Sequence, residues 1–167
     1  MTKRILIVDD ENYIRLLLRR TLEELEFSGV EIHLAEDGVT GLAAARALKP
    51  DLIFLDLMMP RLTGEEVCAA IRRTPELSDT YIVILTAKGQ LPTFDDGEAP
   101  NECMTKPFDP DEIVDRAAQV LDPALVKEFE VVYTPMTFIF KPGEDALGYT
   151  GKYEVLPLME WVQAHAV

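Results

Sequence analysis

Short unbroken apolar runs alternate along the chain with stretches whose apolar residues recur at three- and four-residue spacing. Arg4–Val8 (RILIV) is a β-branched run that ends on Asp9, Asp10 and Glu11. After it, Ile14, Leu17, Leu18, Leu22 and Leu25 share one helical face, with Arg15, Arg19, Arg20, Glu23 and Glu24 on the other positions. Gly29 closes that helix, and Val30–Ala35 is the next predicted strand. Asp37-Gly38 turns into an alanine-rich helix, Val39–Leu48, stopped by Pro50. The run Leu52–Leu55 suits a strand buried on both faces and ends on Asp56. Pro60 and Gly64 break the chain before a helix that carries Val67, Cys68 and Ile71 to about Arg73. Tyr81–Leu85 is a further buried strand, followed by Thr86 and Ala87, and a fifth lies near Glu102–Thr105. Lys106-Pro107-Phe108 follows. Asp109 or Asp111 then opens a helix with Ile113, Ala117, Val120 and Leu121 on one face.

Strands alternating with helices predict an α/β fold: a flavodoxin-like, doubly wound, five-stranded parallel sheet. Right-handed crossovers bring every strand's C-terminus to one edge of that sheet. Asp9 and Asp10 end the first strand there, Asp56 the third, Thr86 the fourth and Lys106 the fifth. Taken alone, Asp56 is equally a solvated strand-end acid or a helix cap. With the others it acquires a chemistry. Three crowded carboxylates repel unless a cation neutralises them. All-oxygen ligation by few protein groups suits Mg²⁺, which also binds phosphate oxygens. Lys106 offers a positive charge to a phosphoryl oxygen and Thr86 a hydroxyl. Aspartate can itself be the nucleophile, so the set suits phosphoryl transfer to Asp56.

Composition narrows the choice of partner. The 167 residues carry a net charge of −14, which disfavours nucleic acid and anionic membrane alike. Up to Leu121 there are 13 basic and 23 acidic residues, and beyond it 3 and 7, so neither part hides a basic module. No apolar run approaches membrane-spanning length and no signal-peptide pattern opens the sequence, which reads as cytoplasmic. Cys68 and Cys103 stand far apart without a CxxC pair, as core or near-core thiols rather than a disulfide, zinc site or dithiol.

Residues 1–121 resemble a response-regulator receiver domain of two-component signalling, CheY-like in fold. The motifs are ILIVDDE at the first loop, LIFLDLMMPRLTG around Asp56, ILTA at the fourth strand and TKPF at the fifth. The resemblance implies that Asp56 is the phosphoacceptor. It also implies that Asp10 and Asp56 ligate Mg²⁺, with the Met58 backbone carbonyl and, through water, Asp9. Thr86 would be the switch hydroxyl and Lys106 the phosphate partner, preceding a cis Pro107. Such a protein takes its phosphoryl group from a histidine kinase or phosphotransfer protein and catalyses only its own phosphorylation and dephosphorylation.

Departures from the family pattern fall between Thr86 and Lys106. The switch aromatic three residues before the lysine is replaced by Cys103. The segment KGQLPTFDDGEAPNE carries Pro92, Gly97 and Pro100 and no helical stripe, so a regular fourth helix is not expected. Phe94 and Tyr81 are candidates to take over the aromatic's role. Met58 and Lys88 occupy the two variable positions beside the phosphoryl group, where their bulk would hinder an attacking water.

Residues 122–167 form a C-terminal extension: a short helix at Pro123–Phe129, a hairpin of Met136–Phe140 and Ala146–Gly151, and a helix carrying Val155, Leu158, Met159 and Val162. The order, with Thr134-Pro135 before the hairpin, resembles the second half of a thioredoxin fold, in which Pro135 would be the cis-proline. The half that would hold a CxxC pair is missing, which opposes a dithiol oxidoreductase. An uncovered hairpin strand invites pairing, leaving two outcomes open: a homodimer through the extension, or an extra lobe on its own receiver. No DNA-binding or enzymatic output module is visible, so output through an unknown downstream protein is expected. The competing function is a pseudo-receiver, an interaction or scaffold module that no longer switches.

Overall fold

The computed structural model describes residues 2–90 and 92–122. The expected hairpin, terminal helix, cis-Pro135 and dimer contact all lie outside the described residues. Five parallel strands form one sheet in the order β2-β1-β3-β4-β5. They are β1 (Arg4–Val8), β2 (Glu31–Ala35), β3 (Leu52–Asp56), β4 (Tyr81–Ala87) and β5 (Glu102–Lys106). This is the doubly wound topology that the alternating pattern predicts. Helices cover both faces: α1 (Asn12–Thr21), α2 (Glu23–Phe27) and α5 (Pro110–Leu121) on one, α3 (Gly38–Leu48) and α4 (Gly64–Arg72) on the other.

The two-residue period of the strands sorts the core. Ile5, Ile7, Leu52, Phe54, Val83, Leu85 and Met104 face Leu18, Leu22, Leu25, Ile113, Ala117 and Leu121. Leu6, Val8, Ile53, Leu55, Ile82 and Ile84 face Ala45, Val67, Cys68 and Ile71. All five residues of β3 are buried, so the strand that ends on Asp56 is the centre of the molecule.

Local signals set the helix ends. Asp37 caps α3 by accepting from Thr40 N at 2.8 Å. Thr63 and Glu66 close a capping box on α4. Of the two candidates for opening the last helix, Asp109 is the cap, with Pro110 in the first turn. The single helix expected from Ile14 to Leu25 is two. Leu25 N donates to Leu22 O at 3.0 Å, a tightened turn that separates α1 from α2 while Leu18, Leu22 and Leu25 stay fully buried. The second strand begins one residue later than expected, at Glu31.

No helix forms among the described residues between β4 and β5. Residues 88–90 and 92–101 instead lie as a strap over α4, held by side chains. Arg72 donates to Ala99 O (3.1 Å) and Asn101 Oδ1 (2.7 Å) of the strap, and to Ser78 O (2.9 Å) and Thr80 O (2.8 Å) in the turn before β4. Cys68 Sγ donates to Glu98 O at 3.2 Å, Arg73 pairs with Glu98 at 2.5 Å, and Thr93 N donates to Glu65 Oε1 at 2.9 Å. Phe94 packs half-buried on the α3–α4 side of the core, whereas Tyr81 packs on the opposite side.

One consequence corrects an expectation. Cys68 is a buried core thiol, pushed up to about 11 chiefly by burial, but Cys103 is exposed. Met104 points to the α5 side, so Cys103 points to the face from which a helix is missing.

Candidate functional site

Parallel pairing brings the strand ends into line. Val8 pairs with Ala35 and Leu55, Asp56 with Leu85, and Ala87 with Lys106. Asp9, Asp10, Asp56 and Lys106 therefore meet at one edge of the sheet, as predicted. One carboxylate oxygen from each of Asp9, Asp10 and Asp56 lies within 4.8 Å of the others. Lys106 Nζ bridges the two buried acids, at 2.8 Å from Asp9 Oδ2 and 2.8 Å from Asp56 Oδ1. Asp9 is further fixed by Glu11 N, which donates to its Oδ1 at 2.8 Å. Asp10 is exposed and, among the described residues, makes no hydrogen bond or ion pair.

The electrostatics follow from this crowding. Burial pushes the Asp56 carboxyl up to about 6; the hydrogen bond from Lys106 opposes the rise, and the charges of Asp9 and Asp10 add to it. Burial works to lower Lys106, but its hydrogen bonds to Asp56 and Asp9 outweigh it and hold the ammonium above its ordinary value. One lysine among three carboxylates leaves the cluster net negative. Three hard carboxylate oxygens this close, from Asp9, Asp10 and Asp56, could hold a metal ion, and their chemistry fits magnesium.

The remaining predicted residues are placed less uniformly. Thr86 is buried, and its hydroxyl lies 3.1 Å from Gln90 O and 3.2 Å from Ala87 O, so it donates to the start of the strap. Met58 and Lys88 are both exposed, whereas Leu57 and Met59 on either side of Met58 are buried. The Lys106-Pro107 peptide bond is cis. Cys103 is adjacent in β5 but open to solvent.

Sequence reasoning missed three participants. Glu11 approaches Lys106 at 4.0 Å, and Arg15 donates to the Asp9 carbonyl at 2.7 Å, tying α1 to the end of β1. Arg61 pairs with the buried Asp37. The first two carry a signal, being an acid and a base within one helical turn or two of the strand end. The third carries none, because the partners belong to separate loops.

A doubly wound parallel sheet with a lysine-bridged acidic cluster at its C-terminal edge is the arrangement of a receiver-like α/β domain. Residues 5–118 match the family of the response regulator receiver domain, and the chain belongs to that family. It is 40% identical over 122 residues to the DNA-binding dual master transcriptional regulator RpaA of Synechocystis sp., covering 71% of this chain and 48% of that protein. It is 38% identical over 123 residues to the response regulator MprA of Mycobacterium tuberculosis, covering 72% of this chain and 51% of the relative. The chain thus spans about half the length of these curated relatives. Among solved structures, the chemotaxis response regulator CheY4 of Vibrio cholerae superposes with a TM-score of 0.63 at 29% identity, covering 72% of this chain and 100% of that one. The chain is a receiver domain of two-component signalling, a class phosphorylated by histidine kinases. No helix among the described residues is long and apolar enough to cross a membrane.

Proposed function

We propose that Asp56 is the phosphoacceptor of a switching receiver whose output passes through protein contacts rather than DNA. The observation that carries this is Lys106 Nζ held at 2.8 Å from both Asp9 and Asp56, with unpaired Asp10 beside them. A carboxylate oxygen of Asp56 attacks the phosphorus of a phosphohistidine on a kinase or phosphotransfer protein. A P–O bond forms as the P–N bond breaks, and the imidazole nitrogen leaves with the bonding pair and takes up a proton. Asp10, Asp56 and the Met58 carbonyl, with Asp9 behind them, would hold a magnesium ion, which would supply charge neutralisation for this transfer. Lys106 exchanges its Asp56 contact for a phosphoryl oxygen while keeping Asp9. Thr86 turns its hydroxyl toward another phosphoryl oxygen and gives up the Gln90 and Ala87 carbonyls, which loosens the start of the strap. Hydrolysis of the acyl phosphate resets the domain.

The net charge of −14 supports protein contacts over DNA for this chain, although RpaA is itself a DNA-binding regulator. One observation favours the alternative, a non-switching scaffold: the strap and exposed Cys103 stand where the family places a helix and an aromatic. Labelling by acetyl phosphate separates the two. A switching receiver incorporates phosphate only with Mg²⁺, and Asp56→Asn abolishes the incorporation. Equal labelling of parent and variant, or none in the parent, would overturn the assignment.

A further inference from the structure

The loop from Leu57 to Gly64 joins the acceptor strand to α4 and carries Met58. Its two ends are pinned by backbone. Leu57 N donates to Leu85 O and Gly64 N to Leu57 O, each at 2.9 Å. A Cβ on Gly64 would lie 2.3 Å from Asp56 O, so the loop closes tightly on the acceptor itself. The middle makes a local turn, with Leu62 N donating to Pro60 O at 2.9 Å. It is held to the rest of the domain by buried Met59, by Leu62 packed on the α3–α4 side of the core, and by the Arg61 side chain, which reaches Asp37 at the N-terminus of α3.

Both partners are unusual for a surface pair. Asp37 is buried and already caps α3 through Thr40 N, while its second carboxylate oxygen faces Arg61. The hydrogen bond from Thr40 N, more than the arginine, holds its carboxyl below the ordinary value and so keeps it charged. Arg61 has φ of +72°, a backbone conformation that glycine takes without strain and arginine does not. What an arginine offers there that glycine does not is its side chain. Alongside the pair, α3 touches the loop directly: a Cβ on Gly38 would sit 2.3 Å from Leu62 O.

We infer that Asp37 and Arg61 are a positioning pair that locks the acceptor loop against α3 and so fixes where Met58 stands beside the Asp9–Asp10–Asp56 cluster. The inference rests on the receiver assignment above, and it concerns affinity for the metal rather than the chemistry of transfer. Ligands supported by an outer ring of contacts typically lose tenfold or more in metal affinity when that ring is broken. Neither residue touches the metal; both act through the loop.

Calorimetric titration of the full chain with Mg²⁺ alone tests the pair, with thermal melting recorded on each variant. Arg61→Gly removes the side chain and relieves the backbone. Asp37→Asn removes the charge and keeps a good helix cap. Each variant is expected to weaken Mg²⁺ binding about tenfold with a melting temperature equal to or above the parent's for Arg61→Gly. The double variant should be no weaker than either single, and Arg61→Lys should recover part of the loss. Parent-like Mg²⁺ affinity in both single variants, fully additive losses, or affinity that merely tracks melting temperature would each overturn the pair's role while leaving the receiver assignment standing. A parent chain whose Mg²⁺ heat survives Asp56→Asn, or that gives none, would instead overturn the proposed Mg²⁺-dependent role of Asp56 and the pair's role together.

Discussion

Between β1 and β4 every crossover carries helix, and between β4 and β5 none does among the described residues. The two regions solve one problem differently. A helix pairs its own backbone groups, so an apolar stripe such as Val67, Cys68 and Ile71 is enough to seat it. A strap cannot, and its carbonyls must borrow donors from elsewhere. Arg72 donates to Ala99 O, Cys68 to Glu98 O and Thr86 to Gln90 O, and Arg72 ties the same stretch to the turn before β4 through Ser78 O and Thr80 O. Burial therefore holds the first region and directed hydrogen bonds the second. The strap also leaves β5 half-dressed, with Met104 buried and Cys103 open.

The sharpest way to break this comparison is Arg72→Ala. Four hydrogen bonds link Arg72 to the carbonyls of Ala99, Ser78 and Thr80 and to Asn101. At roughly 0.5–1.5 kcal/mol net apiece, their loss should cost about 3 kcal/mol. The urea midpoint should fall accordingly, and amide exchange should quicken first at residues 98–101. Mg²⁺ affinity should stay within about twofold, because the acidic cluster hangs on β1 and β3. A fall below about 1 kcal/mol would mean that Phe94 and the other contacts hold the strap without Arg72.

The second prediction works on the opposite region. Asp56 has its folded pKa raised to about 6 from an ordinary 3.8. A carboxyl shifted upward binds its proton more tightly when folded. The stability it confers is complete below pH 3.8 and is lost as pH rises through about 6. Without metal, the parent should therefore weaken across that window by up to about 3 kcal/mol. Asp56→Asn carries no such charge, so its melting temperature should pull ahead of the parent's over the same pH range, and Mg²⁺ should close the gap by stabilising the parent alone. A gap that does not widen with pH would place the strain of the cluster elsewhere than at Asp56.

These two regions were also unequally legible in the sequence. The strand ends could be read because burial on both faces leaves unbroken apolar runs, and the residue after each run lands at one edge. Asp9, Asp10, Asp56 and Lys106 came together for that reason. The missing helix was legible too, from Pro92, Gly97 and Pro100. What replaced it was not. Arg72 and Cys68 bond to the strap's main-chain carbonyls at Ala99 and Glu98, and carbonyls have no residue identity to recognise. Cys103 lies open rather than near the core because a strand's pattern shows which residues alternate, not whether a helix arrives to cover them. The break at Leu22 left the apolar spacing intact, since Leu18, Leu22 and Leu25 are buried on either side of it.

The smallest expected effect concerns the two residues that the receiver resemblance sets beside the proposed phosphoryl site. Met58 and Lys88 are exposed, one on the acceptor loop and one at the start of the strap. An acyl phosphate on Asp56, as proposed, would be lost by in-line attack of water, and a bulky apolar Met58 beside it would neither orient that water nor leave it room. Asparagine is smaller and offers both a donor and an acceptor. Met58→Asn should therefore shorten the phosphoryl lifetime about threefold, a barrier change of less than 1 kcal/mol. Chasing radiolabelled Asp56 after removal of the phosphodonor gives the rate, and Lys88→Ala measured beside it shows which region limits access. Faster loss in Met58→Asn with no change in Lys88→Ala would assign control of the lifetime to the helix-built half. The reverse would assign it to the strap. Equal or slower loss in Met58→Asn would remove the side chain from any part in the timing of the signal.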